Sequence, residues 1–143
     1  MVAALIVFGG FSWGDRMFVN FSSHSSCEWS SKQRNEARKF GEIVDIAFPD
    51  VAPEAEEQQI EETAAAYAAK IIAMKPDVVM CQGEYSLTFH VVLRLLRANI
   101  RVVCACTERC AICTHNETDT KIESLFSFVK FRNYSIKGVN IDE

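Results

Sequence analysis

From Met17 onward, short apolar runs alternate with segments whose apolar residues recur at helical spacing. Met17–Ser23 mixes β-branched and aromatic residues and predicts a strand. Ser30-Ser31-Lys32-Gln33 has the form of a capping box, opening a helix that carries Ala37 and Phe40 and stops at Gly41. Glu42–Phe48 predicts a second strand, closed by Pro49. Past Pro53, the spacing of Ile60, Ala64, Tyr67, Ala68 and Ile71 predicts a long helix over about Ala55–Met74, which Pro76 ends. Asp77–Cys81 is a continuous apolar run of the kind buried on both faces of a sheet. A helix over Ser86–Ala98 and another buried strand over Ile100–Cys106 follow.

The rhythm then changes. Arg109–His115 and Ser124–Phe131 predict a hairpin around the polar cluster Asn116-Glu117-Thr118-Asp119, and the chain from Ser135 reads as a loose tail. No internal repeat, low-complexity tract or linker interrupts the series. The β-α-β-α-β-α-β order implies an α/β fold: a Rossmann-like open, mainly parallel sheet with helices on both faces and a C-terminal β-hairpin. The expected division is a single domain over 17–134, a tail over 135–143 and an extension over 1–16. That last assignment rests on Met17, which directly precedes a better strand than Met1–Phe8 offers; a first strand within Met1–Phe8 is the alternative.

Composition narrows the function classes. The chain has 143 residues, 49% hydrophobic and 24% charged, enough for an ordinary core. A net charge of −4 argues against non-specific binding of long nucleic acid, whose affinity rests on basic surface. The charge is uneven: residues 40–85 hold ten acids and two lysines, whereas 86–137 hold eight Arg or Lys and four acids. A basic C-terminal side suits a small anionic ligand, and equally suits solvated helix faces of opposite sign. No apolar stretch is long enough to span a bilayer, and Met1–Phe8 lacks the cationic start of a signal peptide, so a cytoplasmic protein is expected.

Six cysteines bear on metal binding. Cys104, Cys106, Cys110 and Cys113, followed by His115, superficially suggest zinc. Structural zinc sites usually pair two separated knuckles, however. Here Cys104 and Cys106 share one face of an expected strand and no second C-x-x-C pair exists elsewhere, so no metal is expected. Cys81 reads as a small buried hydrophobe and Cys27 as a loop residue, all six reduced.

Ligands of open α/β sheets bind at the carboxyl ends of the strands. That rule selects Ser22-Ser23-His24 after the first strand, Gln82-Gly83-Glu84 after the third and Thr107-Glu108-Arg109 after the fourth. Gly83 lets backbone approach a ligand, and the helix start that follows presents unpaired N–H groups and a positive dipole end. His24 suits general acid–base work or a hydrogen bond to phosphate, or is merely exposed. Arg109 suits bidentate phosphate binding, or an ion pair with a neighbouring acid. Glu84 is a base or ribose partner, or else a helix cap. Ser86 and Thr88 offer hydroxyls to a ligand or are ordinary helix-start residues. The dinucleotide, phosphate-loop and nucleophile-elbow glycine motifs are all missing, and Gly9-Gly10 lacks a third glycine and a following helix. No cofactor is expected.

Taken in order, Phe21-Ser22-Ser23-His24, Trp29 with Gln33, Phe48-Pro49, Gln82-Gly83-Glu84 with Thr88, Thr107-Glu108-Arg109 and Phe128-Val129-Lys130-Phe131-Arg132-Asn133-Tyr134 form a set. By that set the chain resembles a small stand-alone CRISPR-associated family of Rossmann type, related to CARF domains and grouped with ring nucleases. The resemblance covers about residues 17–134. It implies a homodimer that binds a cyclic oligoadenylate, cyclic tetra-adenylate above all, across its two-fold axis. It also implies metal-independent cleavage by ribose 2′-hydroxyl attack, which switches off an antiviral signal. Carried onto this chain, His24 and Arg109 position or neutralise the phosphate. Ser22, Ser23, Gln82, Gly83, Glu84, Ser86, Thr88 and Thr107 line the nucleotide pocket. Where the family motif carries Asn or Pro near the histidine, this chain has Ser23 and Ser25. Two rivals stand beside this expectation: a deoxyribosyltransferase-like enzyme with Glu84 as nucleophile, and a non-catalytic nucleotide sensor using the same pocket.

Overall fold

The computed structural model describes residues 15–139; the apolar run Met1–Phe8, Gly9-Gly10 and the last four residues lie outside them. Among the described residues five strands and three α-helices follow in the order β1 (Met17–Ser22), α1 (Ser31–Arg38), β2 (Glu42–Ala47), α2 (Glu57–Ala73), β3 (Val78–Gln82), α3 (Tyr85–Arg97), β4 (Arg101–His115) and β5 (Thr120–Asn133). They form one mixed sheet in the order β2-β1-β3-β4-β5. β1 runs parallel to both β2 and β3, β3 runs parallel to β4, and only β4 and β5 are antiparallel. Among the described residues no helix is long and apolar enough to cross a membrane.

Residue alternation along the strands divides the core in two. Val19, Phe21, Val79, Cys81 and Val102 face α2 and α3, where Ile60, Ala64, Ile71, Leu87, Val91 and Leu95 meet them. Phe18, Val78, Met80 and Val103 face the other way, against Trp29 and Ala37 at α1. On that side Phe18 meets Trp29 edge-on at 6.2 Å between ring centroids and Phe131 at 5.1 Å. Burying each such side chain stabilises the fold by roughly 1.5–3 kcal/mol. The continuous apolar strands are thus apolar because both of their faces are covered.

Local chemistry sets the ends of the helices. Ser30 Oγ accepts from Gln33 N at 3.2 Å, which starts α1. At α2 the Glu56 N–H donates to Gln59 Oε1 at 2.9 Å, so this helix begins two residues later than its apolar spacing suggests. Lys75 and Asn99, past the ends of α2 and α3, adopt φ of 53° and 60°. Gly41 adopts φ 148° against the backbone of Arg16, where an added Cβ would lie 2.3 Å from a carbonyl carbon, so only glycine fits this turn into β2.

The C-terminal part departs from expectation. The two segments Ile100–Cys106 and Arg109–His115 are one strand, β4, because β5 pairs with it throughout, from Val103↔Asn133 to His115↔Thr120. Opposite Cys106 and Thr107 the register slips, leaving Val129 as the extra residue of a β-bulge. The polar stretch Thr107-Glu108-Arg109 therefore passes through a strand and is not a loop at the sheet edge. Beyond Val103, β4 no longer pairs with β3, and the two strands leave the body of the sheet as a two-stranded arm.

Candidate functional site

The strand order has a functional consequence. From β1 the chain moves to one side to reach β2, then crosses back over β1 to place β3 on its other side. The connection after β1 enters α1 on one face of the sheet, and the connection after β3 enters α3 on the other. Two loops that part in opposite directions leave a crevice between them, the position at which open α/β sheets bind ligands.

A cavity of about 570 Å³ occupies that position. Ser22, Ser23 and His24 form one wall, Gln82, Gly83 and Tyr85 the second, and Thr107, Phe126 and Phe128 of the arm the third. Trp29, Gln33 and Met80 make its floor. Three chain segments far apart in sequence thus meet at one rim. The volume is that of a small-molecule site. Tyr85, 92% exposed, and Phe126, 66% exposed, set two aromatic rings at its mouth.

The first wall is held by a polar network under β1 and β2. Asn20, 1% exposed, donates through Nδ2 to the His24 carbonyl and to Asp45 Oδ1, each at 2.8 Å. Ser22 Oγ donates to Asn20 Oδ1 at 2.7 Å. Asp45 also accepts from the Ser26 N–H at 3.1 Å and the Ser26 hydroxyl at 2.8 Å. Partial burial opposes ionisation of Asp45, but the bonds from Asn20, Ser26 and Ser25 outweigh it and hold the carboxyl below its ordinary value. The loop backbone is fixed while the His24 side chain stands 78% exposed, its Nδ1 3.4 Å from Glu28 Oε2. That contact turns the other ring nitrogen away from Glu28.

The second wall differs from the sequence expectation in three respects. Gln82 Oε1 accepts from the Ala105 N–H at 2.9 Å, extending by a side chain the β3–β4 ladder that ends at Val103. Gly83 owes its lack of a side chain to the protein itself: an added Cβ would lie 2.6 Å from the Phe48 ring, which packs 4.7 Å from Phe21. Glu84 caps α3, its carboxylate accepting from Ser86 N at 3.1 Å, Leu87 N at 2.8 Å and Ser86 Oγ at 2.7 Å. The Leu87 N–H, then the Ser86 hydroxyl, hold the Glu84 carboxyl below its ordinary value against a small opposing effect of burial. The helix start that offered bare N–H groups to a phosphate is filled by the chain's own carboxylate.

Of the residues selected from sequence, Ser22, Ser23, His24, Gln82, Gly83 and Thr107 line the cavity, and Glu84, Ser86, Thr88 and Arg109 do not. Glu84 and Ser86 satisfy each other at the helix start. Thr88 lies on an apolar groove between α3 and the chain after β5, its Oγ1 buried without a hydrogen-bond partner. Arg109 sits two residues farther out on the arm than Thr107, opposite Phe126, and bonds Ser124 Oγ at 3.1 and 3.0 Å. No Lys or Arg lines the cavity among the described residues.

Sequence reading passed over Asn20, Asp45, Glu28, Tyr85 and Phe126. A lone Asn inside Phe18-Val19-Asn20-Phe21 was the available signal, since a polar side chain in a strand covered on both faces needs partners. The cysteines lie outside the site. Cys104, Cys106 and Cys110 share one face of β4 and Cys113 takes the other, and no group of three or more metal-binding side chains converges among the described residues. Burial, then neighbouring Cys106, raises the Cys104 thiol above its ordinary value, and burial pushes Cys81 up to about 12.

A family model, that of the uncharacterized protein MJ1673 family, matches residues 16–132. No curated protein and no solved structure matches the chain.

Proposed function

The chain belongs to the MJ1673 family, and we propose that it binds a cyclic oligoadenylate, cyclic tetra-adenylate above all, in the crevice between β1 and β3 of a Rossmann-type sheet. We propose further that it opens the ring without a metal. The observation that carries this reading is the convergence of His24, Gln82 and the exposed rings of Tyr85 and Phe126 on one cavity at the strand-order reversal. Exposed aromatic rings bind nucleobases by stacking, and amide and hydroxyl groups such as Gln82, Ser23 and Thr107 hydrogen-bond their edges or the ribose.

His24 is the group for the chemistry. An imidazole takes and returns a proton near neutral pH. Its nitrogen turned away from Glu28 accepts the 2′-hydroxyl proton as the 2′-oxygen bonds to phosphorus. The bond to the 5′-oxygen breaks, that oxygen takes a proton from a water, and the imidazolium of His24 returns its proton to the hydroxide so formed. The products are a 2′,3′-cyclic phosphate and a 5′-hydroxyl, so no water is added and no redox partner is needed. Arg109, 3.0 Å from Ser124 on the arm, reaches a phosphate only if the ligand extends past Phe126.

A second reading, the non-catalytic sensor, has one observation in its favour: among the described residues the cavity lining contains no cation to offset charge building on the phosphate. The deoxyribosyltransferase-like alternative loses its support, because the Glu84 carboxylate is engaged in capping α3.

Incubation with cyclic tetra-adenylate in EDTA separates these readings. Linear products ending in 2′,3′-cyclic phosphate are expected. Intact ring bound to protein means the sensor, and neither binding nor products removes the proposal.

A further inference from the structure

Away from the crevice, α1 and the start of β2 border a second cavity of about 490 Å³. Its charged lining is Arg16, Arg34 and Arg38 against the single carboxylate of Glu42. Guanidiniums gathered on one space repel one another, and Arg34 and Arg38 are like charges four residues apart on one helix. Complementing the dipole at the last turn of α1 accounts for Arg38 alone. The chain does little to neutralise the cluster. Arg16 Nε lies 3.9 Å from Asp77 Oδ1, a long contact, and Asp77 Oδ2 accepts from the Met17 N–H at 2.8 Å. Arg34 Nη1 donates to the carbonyls of Trp29 at 2.7 Å and Cys27 at 3.3 Å, which anchor the side chain without cancelling its charge. Glu36, the one acid of α1, pairs with Lys39 at 2.6 Å. Arg38 is left with no hydrogen-bond or ion-pair partner among the described residues. Residues 1–14 carry no acidic side chain, and Asp142 and Glu143 follow Val139, which lies against α3 on the other face of the sheet.

We propose that this cavity binds a phosphorylated small molecule, its phosphate held by Arg16, Arg34 and Arg38. A planar guanidinium fork meets two phosphate oxygens at once, which an ammonium cannot do. The residue choice agrees with that geometry: Lys32 and Lys39, in and beside α1, stay out of the lining, and every cation in it is an arginine. Glu42 offsets one of the three, leaving an excess of two positive charges. That excess matches a phosphate monoester, which carries about −1.5 to −2 at neutral pH. The cavity is larger than a phosphate group, and Ile43 offers apolar surface to the rest of the ligand. The site shares no residue with the crevice lining, so the inference stands whether or not a cyclic oligoadenylate binds there.

The test is a phosphorus NMR titration of the full chain with phenyl phosphate, at constant ionic strength set by chloride. Saturable binding in the millimolar range or tighter is expected. Arg16→Gln and Arg38→Gln should each weaken it by about 10-fold, the loss of one charge-assisted hydrogen bond. Arg94→Gln on α3 removes the same charge elsewhere and should change it little. Inorganic phosphate should bind more weakly, because nothing then covers Ile43; equal affinity overturns a small-molecule site. No saturation at millimolar phenyl phosphate overturns the proposal, as does binding that both cavity variants leave intact or that Arg94→Gln weakens equally. Should either variant fail to fold, backbone amide NMR shifts of the wild-type chain decide. Changes on adding phenyl phosphate that cluster over Arg38–Ile43 support the site, and changes centred elsewhere overturn it.

Discussion

Replacing His24 by alanine is expected to lower the proposed turnover of cyclic tetra-adenylate by about 10²- to 10⁴-fold, the range for losing a general base, while the affinity proposed for the ring should change little. The separation is expected because the loop does not depend on the imidazole. Asn20 holds the His24 carbonyl and Ser22 accepts from the His24 N–H at 3.4 Å, both through backbone atoms that alanine keeps. The side chain is 78% exposed, so its removal leaves no buried void. Glu28→Gln is expected to give a smaller loss, since the ring nitrogen 3.4 Å away keeps a hydrogen-bond partner and loses only the charge. Single-turnover cleavage together with equilibrium binding measures both. Turnover unchanged in His24→Ala would remove the imidazole from the chemistry.

The second large effect concerns stability. Asn20→Ala is expected to cost on the order of 3 kcal/mol in urea unfolding, because it removes one side chain from three polar groups at once. The His24 carbonyl and Asp45 lose a donor, the Ser22 hydroxyl loses its acceptor, and a small void opens beside β2. The substitution also changes the response to acid. In the native chain the Asp45 carboxyl sits below its ordinary value. Its contribution to stability is therefore fully present above the unfolded-state pKa, near 4, and is lost as pH falls through the lower folded value. Asn20→Ala removes the hydrogen bond that contributes most to that depression, so its stability falls less steeply below pH 4 than that of the native chain. Unfolding midpoints at neutral pH and at about pH 3 provide the comparison. Equal acid sensitivity in the two proteins would mean that Asp45 is not held by Asn20.

The body of the fold was legible because burial writes a period into sequence. Ile60, Ala64, Ala68 and Ile71 mark the buried face of α2, and Val78 to Cys81 are apolar without interruption because both faces of β3 are covered. The arm was not legible in its true form. Most of its side chains are exposed, so no buried face imposes alternation, and Thr107-Glu108-Arg109 read as a break where the strand in fact runs on. That error moved Arg109 from the arm to the sheet edge. Glu84 shows a different limit. A carboxylate just before a helix has the same signature whether it serves a ligand or the helix, and only the positions of Ser86 N and Leu87 N decide. Gly83 likewise pointed to close approach, which is what it provides, although the group approaching is the Phe48 ring. Asn20 and Asp45 were single polar residues in apolar strands, and their mutual hydrogen bond depends on the parallel register that sets them side by side.

Calorimetric titration of the chain with cyclic tetra-adenylate in EDTA at low temperature, beside Tyr85→Ala, tests the central claim most directly. Saturable binding is expected, weakened by about 5- to 150-fold in Tyr85→Ala, the equivalent of one base-stacking contact of roughly 1–3 kcal/mol. Binding of equal strength in both proteins, or none in either, would contradict a nucleotide site in the crevice between β1 and β3.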